Sequence, residues 1–470
     1  MTEGALEDTL VSHVSGLDLA DMPASTIENA KSIVLDTIGA VLSARGHESV
    51  APVADLVANW GGRPDARPLG SSRKIPAHHV ALINGTMARA LELDEVHEPA
   101  MLHAAATILP VALAAAEHVG GVSGKQFLEA MIAGIDVSAR LSLATLPAQN
   151  PRTMSLTYQT GILAGALTAA RIAGLSAADM RNVLGVAYSQ CAGNQQALYE
   201  GADTVRVQQG LSAMTAIISL ELAMAGVRGV ESSLSGKAGW FAAFQGGRCN
   251  LDALTGDLGA RFEIDNLSVK PFPCCKYTHT AISAAIAARR DPRFDLDRIE
   301  RVVAHVNSHE CFKIVCEPQD FTQLREALAG PNGRVRAQFS LVHMVATALC
   351  HGNVEVRHLD ADQRNDAATL ALTKRIRAVI DPDKARDQLP VPGIIEIFLK
   401  GDDTPIRSVC TVPPGHPDNR MDFNRIIEKY AGVQSLHRQG PSGDTPIDMI
   451  RGLETLEDIA HLVTALEEKG

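Results

Sequence analysis

The sequence predicts a soluble two-domain protein, with a large, mainly α-helical domain and a smaller α/β domain. Apolar residues recur at helical spacing through the first 250 or so residues, with no βαβ alternation among them. Beyond about residue 268, β-branched and partly alternating segments take over, separated by helical patterns. Aromatics make up only 4% of the chain while glycines number 38, and a core of small residues suits closely approaching helices. At 470 residues the chain exceeds one ordinary core, so two domains, or three, are expected.

The elements follow in order. Ile27, Ala30, Val34, Ile38 and Val41 mark a helix over 24–42. The segment 103–118 is apolar nearly all round and reads as a buried helix. Ser123 with Gln126 forms a capping-box pattern ahead of an apolar stripe over 127–141. Ser176 with Asp179 repeats the device, and 210–225 supplies a further long helix. Strand character then appears at 299–306, 375–380, 393–399 and 405–412, with helices over 276–289 and 338–349. The tail, 422–469, is helical and amphipathic, and Arg438 to Gly443 reads as a short surface loop.

Several function classes are excluded at this level. With 43 basic against 54 acidic residues the net charge is -11, which disfavours broad attraction to nucleic acid or an anionic membrane. A few inward-facing cations can still make a positive pocket. The apolar segments 104–117 and 211–225 are too short and interrupted to span a bilayer. The N-terminal residues lack the cationic front and apolar run of a secretory signal, so a cytoplasmic location is expected. Eight cysteines without a CxxC pair fit reduced thiols; adjacent Cys274 and Cys275 with one nearby His279 lack metal-site spacing. Ser235-Gly236-Lys237-Ala238 mimics the end of a phosphate-binding loop, but the upstream glycine position holds Glu231 and the hydroxyl position holds Ala238. No cofactor is therefore expected, and no metal.

Two segments carry chemistry. In the first, Asp94, His97 and His103 precede the apolar helix; a carboxylate can orient an imidazole as general acid or base. The alternative is a polar helix entrance with satisfied histidines. In the second, Lys270, Cys275, Lys276, Tyr277 and His279 gather cations, a thiol and an imidazole at an interdomain position, or else form a solvated linker. Arg206 could clamp a carboxylate, or pair with Asp203. His343 follows a segment readable as a helix entry and could equally sit at a core edge. No GxSxG elbow is present, so covalent hydrolysis is a poor fit.

The same segments resemble the MmgE/PrpD family, whose members include 2-methylcitrate dehydratase, cis-aconitate decarboxylase and iminodisuccinate epimerase. The resemblance runs through Ala30 to Gly39, Asn84 to Asp94, Pro110, Glu117, Ser123-Gly124 and Gly134. It continues at Lys270-Pro-Phe-Pro-Cys-Cys-Lys-Tyr-Thr-His279, Ala337 to Ser340 and Pro414 to Pro417. It implies a two-domain fold in which 1–268 and 406–470 form the helical domain and 269–405 an α/β lid, a homodimer, and an active site between domains. It also implies a cofactor-independent lyase acting on a small di- or tricarboxylate by α-proton abstraction. The expected reaction is dehydratase-like, with an epimerase or isomerase as the alternative and a decarboxylase or inactive scaffold behind it. Asp94, His103, Lys270 and His279 match family active-site positions, and Arg206 a basic one. We expect Asp94, His103 and His279 to be catalytic, and His97, Arg206, Lys270, Cys275, Tyr277 and His343 to bind substrate. The sequence departs from the pattern at Ser155, where many members carry histidine, at Val205, where many carry lysine, and at His343, where many carry tyrosine. These departures imply a different substrate or reaction in the same cleft.

Overall fold

A computed structural model describes residues 4–145, 153–380, 390–434 and 445–467. The helical expectation holds across the first part of the chain. Helices span Ala24–Ser43, Ala77–Ala90, Ala105–Val119, Gly124–Leu143, Leu156–Ile172, Ala177–Tyr188 and Thr204–Met224. Ser123 accepts from the Gln126 amide while the Gln126 side chain returns the bond, which completes the capping box. Ser176 caps its helix through the Asp179 amide. The helix expected over 210–225 starts earlier, at Thr204, so Arg206 lies in its first turn.

Small residues set the packing. Gly85 and Gly210 face each other where their helices cross, and a Cβ on Gly210 would stand 2.2 Å from the Leu82 carbonyl oxygen. This close approach seats the helix carrying residues 205–209 directly beside the one carrying Arg89.

Six strands are formed among the described residues: β1 (Val96–His97), β2 (Leu267–Ser268), β3 (Ile299–Val306), β4 (Ile376–Val379), β5 (Gly393–Leu399) and β6 (Ile406–Cys410). The last four make one sheet of order β4-β3-β5-β6, with β3 and β4 parallel and the other pairs antiparallel. Along β5 Gly393, Ile395, Ile397 and Leu399 are buried and their neighbours half-buried, the period-2 signature of a sheet with one covered face. The helix His279–Ala288 packs against β5 and β6, and Gly393 lets it approach so closely that a Cβ there would meet the Ala281 amide at 2.4 Å. Leu341–His351 packs in turn on that helix.

The apolar interior forms two clusters. One runs from Leu6 to Val269 and takes in Ile426 to Leu466; the other runs from Phe272 to Ile406. The tail therefore returns to the helical domain: Phe423–Gln434 lies against Ala24–Ser43, tied by Lys429 to Asp36 at 2.5 Å. Because β6 belongs to the sheet, we propose that the lid extends through Cys410 rather than ending at residue 405. The loop expected from Arg438 to Gly443 lies outside the described residues. Among the described residues no helix is long and apolar enough to cross a membrane. None of the eight cysteines is in a disulfide.

The phosphate-loop mimic is occupied by the protein itself. Glu7, buried, accepts from the Leu234 and Ser235 amides and from the Ser235 hydroxyl, taking the donors a phosphate would need.

Candidate active site

The two-stranded pair β1–β2 unites the two chemistry-bearing segments. Its antiparallel register sets Val96 opposite Ser268 and His97 opposite Leu267. Continued by two residues, that register sets Asp94 opposite Lys270, and the Lys270 ammonium indeed lies 3.5 Å from the Asp94 carboxylate. A cavity of about 170 Å³ opens beside this pair, walled by both domains. Ser155, Tyr158, Asn194, Val205 and Gln209 are among those contributing from the helical side; Lys270, Cys275, Lys276, Tyr277 and Phe339 contribute from the other.

A closed ionic cluster underlies the wall, which Arg89, Glu92 and Lys270 line while Asp94 lies behind them. Arg89 Nη1 donates to both Asp94 oxygens at 3.0 and 3.1 Å and pairs with Glu92 at 2.7 Å. Lys270 Nζ donates to Glu92 Oε2 at 3.0 Å. All four side chains are buried, two cations against two carboxylates. Burial alone would raise Asp94, but Arg89, Lys270 and His103 outweigh it and hold the carboxyl well below its ordinary range. Glu92 takes a left-handed backbone (φ 53°), as does Met101 (φ 55°), and both line the cavity. Strained backbone of this kind costs about 1–3 kcal/mol and persists where surrounding contacts over-determine it; at Glu92 those contacts are the ion pairs to Arg89 and Lys270.

His103 stands on this cluster. Its Nδ1 lies 2.7 Å from the Glu95 carbonyl oxygen and 2.8 Å from Asp94 Oδ2. Both partners accept only, so Nδ1 carries the proton and Nε2 holds a lone pair. Nε2 makes no hydrogen bond to a described residue, and the ring lines the cavity. Burial and the Arg89 charge lower the imidazole pKa below its ordinary 6.5, with Asp94 offsetting only part. The result is a neutral, oriented base facing open space.

The other histidines stand elsewhere. His97 was expected to bind substrate; its Nε2 instead pairs with Glu263 at 3.0 Å and its Nδ1 accepts from the Ala100 amide, so it ties up the β1 turn away from the cavity wall. His343 is fully buried in the lid core, both ring nitrogens lack hydrogen bonds, and burial pushes its pKa down to about 4. It does not reach the cavity. His279 donates from Nε2 to the Cys274 carbonyl at 3.2 Å and packs edge-on to Phe272; burial followed by Lys276 and Lys270 hold it well below the ordinary histidine range. Its ring sits behind the wall rather than in it. Arg206 is buried and paired to Asp203 at 2.7 Å, to Ser49 and to Gln338, and is likewise absent from the wall. Cys275 and Tyr277 do line the cavity, and burial raises the Cys275 thiol to about 12, far too high for a thiolate nucleophile. Ser155 and Val205 both lie in the wall. Cys274 Sγ contacts the Thr278 hydroxyl at 3.1 Å, and among the described residues no His/Cys/Asp/Glu group has the arrangement to hold a metal ion.

Glu95 behaves differently from its neighbour. Its Oε1 accepts from the Ala105 amide at 2.7 Å while Oε2 is buried without a partner; burial, then Asp94, raises its pKa from 4.5 to about 8. The folded form retains this proton after the unfolded chain has lost it, so stability should fall as pH rises from about 4.5 to about 8. Glu95→Gln, neutral at every pH, is expected to flatten that dependence and to melt higher than wild type at pH 8. Melting curves across this range check it; an unchanged slope would mean that Glu95 is ionised in the fold.

The sequence reading also passed over Arg89, Glu92 and Glu98, although their segments were in view. The available signal was an arginine three and five residues ahead of two acids at the end of an otherwise apolar helix.

A family model for the MmgE/PrpD N-terminal domain matches residues 8–251, and one for the MmgE/PrpD C-terminal domain matches 272–438. The chain belongs to the MmgE/PrpD family. Its similar proteins include the cis-aconitate decarboxylase-like protein oryM of Aspergillus oryzae, 28% identical over 99% of this chain and 98% of that protein. Human cis-aconitate decarboxylase is 23% identical over 98% of this chain and 95% of its own length. Cis-aconitate decarboxylase of Aspergillus terreus is 28% identical over 57% of each chain. The boundary between the two MmgE/PrpD matches, 251 to 272, contains β2 and Lys270.

Proposed function

We propose that this MmgE/PrpD protein is a cofactor-independent hydro-lyase that removes the proton next to a carboxylate of a small acid and expels a β-hydroxyl. The observation that carries this reading is His103: its Nδ1 proton is fixed by Asp94 and the Glu95 carbonyl, its Nε2 bonds no described residue, and its ring lines the cavity. The imidazole takes the α-proton, and a wall cation holds the carboxylate on which the charge develops. Asp94 then stabilises the imidazolium. Because His279 lies behind the wall, the same imidazolium returns its proton to the departing hydroxyl. Proton and hydroxyl then leave from one face of the substrate, with water and an alkene as products.

The names of the relatives support decarboxylation as a second reading. The two differ in what His103 must do. Elimination starts with a neutral base, whereas decarboxylation leaves a carbanion that must receive a proton. With its pKa held down, the imidazole is set up to accept. Elimination should therefore gain as pH rises through the His103 pKa, and decarboxylation should gain as pH falls. An epimerase would need a second proton carrier on the opposite face.

Proton NMR in deuterated water, with a panel of β-hydroxy mono-, di- and tricarboxylates and cis-aconitate, tests the proposal. A new vinylic signal with loss of the hydroxy acid is the expected result. Loss of CO₂ from cis-aconitate would replace it with the decarboxylase, and α-deuterium without an alkene with the epimerase.

A further inference from the structure

The cavity that holds His103 does not end at its polar wall. Four of its residues, Leu198 and Tyr199 from the helical domain and Ile314 and Phe339 from the lid, also line a second, outer space of about 570 Å³. The two spaces therefore meet at an apolar neck, and Pro318, Leu324, Ala327 and Val335 carry its apolar character into the outer groove. Leu198 and Tyr199 belong to neither of the two core clusters, and Tyr199 is 43% exposed. Core packing thus gives no account of two large apolar side chains on the five-residue helix Gln196–Glu200. A ligand with an apolar part does, because sites for such ligands set apolar and aromatic side chains beside a few fixed polar groups. The neck is held from both domains. Lys313 stands over the Tyr199 ring, 5.2 Å from its centre, and Arg336 donates to the Glu200 carbonyl. Gly201 ends the helix in a left-handed conformation (φ 69°), where a Cβ would come within 2.8 Å of Arg336 Nε.

We infer that the substrate carries an alkyl arm several carbons long, and that Leu198, Tyr199, Ile314 and Phe339 select for it. This rests on reading the cavity as the site of a carboxylate-acting enzyme and adds to that reading. The carboxylates stay in the inner cavity with His103, while the arm runs through the neck towards the outer groove. It holds for a dicarboxylate and a tricarboxylate head alike. A polar substituent in the neck would give up water without gaining a hydrogen bond from these four side chains, whereas each methylene buried there is favourable. The four residues come from both domains, so the arm is enclosed only where helical domain and lid meet.

The test measures binding by calorimetry, independently of turnover. The probes are succinate and its methyl, propyl and hexyl derivatives, none of which has a hydroxyl to lose. Affinity is expected to rise about threefold to fourfold per methylene, the gain for burying one such group. Leu198→Asn places an amide in the neck, and because Leu198 lies outside both cores the variant should fold. It should lower the ratio of hexylsuccinate to succinate affinity about tenfold or more, since the arm then meets a polar group. Ala327→Phe, which fills the outer groove, should lower the same ratio. Level affinities across the series, as for a neck that only admits substrate, would overturn the inference. So would no binding by any of the four, or a gain with length that survives both substitutions. If the hydro-lyase reading alone fails, the rise with chain length persists while the vinylic signal is missing. If the arm alone fails, the vinylic signal appears and the affinities stay level.

Discussion

Replacing His103 by asparagine is expected to lower kcat by about 10²–10⁴-fold, the usual worth of a positioned general base. Asparagine keeps a donor near the place of Nδ1, so contact with Asp94 and the Glu95 carbonyl can persist while the basic nitrogen is gone. The ionic cluster of Arg89, Glu92, Asp94 and Lys270 is untouched, and the melting temperature should stay close to that of wild type. KM should change little, because the carboxylate is held elsewhere. In wild type, the rate should fall as pH drops through the His103 pKa, which burial and Arg89 place below 6.5. Initial rates with the substrate found by NMR, beside a thermal melt, decide the matter. A folded variant within tenfold of wild type would remove His103 from the chemistry.

The sequence revealed the fold more fully than the site, for a physical reason. Helices and strands here announce themselves by local periodicity, and the Ser123–Gln126 cap and the alternating β5 are complete within a few residues. The site depends instead on β1 and β2, two residues each, which have no periodicity to detect. That pair brings Asp94 to Lys270 across 176 positions of chain. Sequence reasoning named both residues but could not see that they neutralise each other. His97 and His343 show the matching failure: a histidine satisfied by Glu263 or sealed in the lid core has the same letter as one facing a substrate. Arg206, expected to bind substrate, lies outside the cavity wall, held by buried contacts to Ser49 and Gln338 that come from distant segments and leave no local sequence signal.

The second large effect is expected at Lys270. With methionine in its place, Glu92 and Asp94 would remain buried with Arg89 alone to balance them. Removing one member of such a cluster costs about 3–5 kcal/mol, because the surviving charge stays uncompensated. Urea unfolding should show that loss. The same substitution should move the pH profile. Lys270 is among the charges that depress the His103 pKa, so its removal lets that pKa rise, and the acidic limb of kcat/KM should shift to higher pH. A substrate anchor behaves otherwise, weakening KM while leaving stability and the limb in place. Adding Glu92→Gln to Lys270→Met restores the balance of charge around Arg89 and Asp94, and should recover part of the lost stability. Recovery in the double variant with the limb still displaced would identify Lys270 as a residue that positions and tunes His103. Unchanged stability and an unmoved limb in Lys270→Met would instead return it to the role of carboxylate anchor.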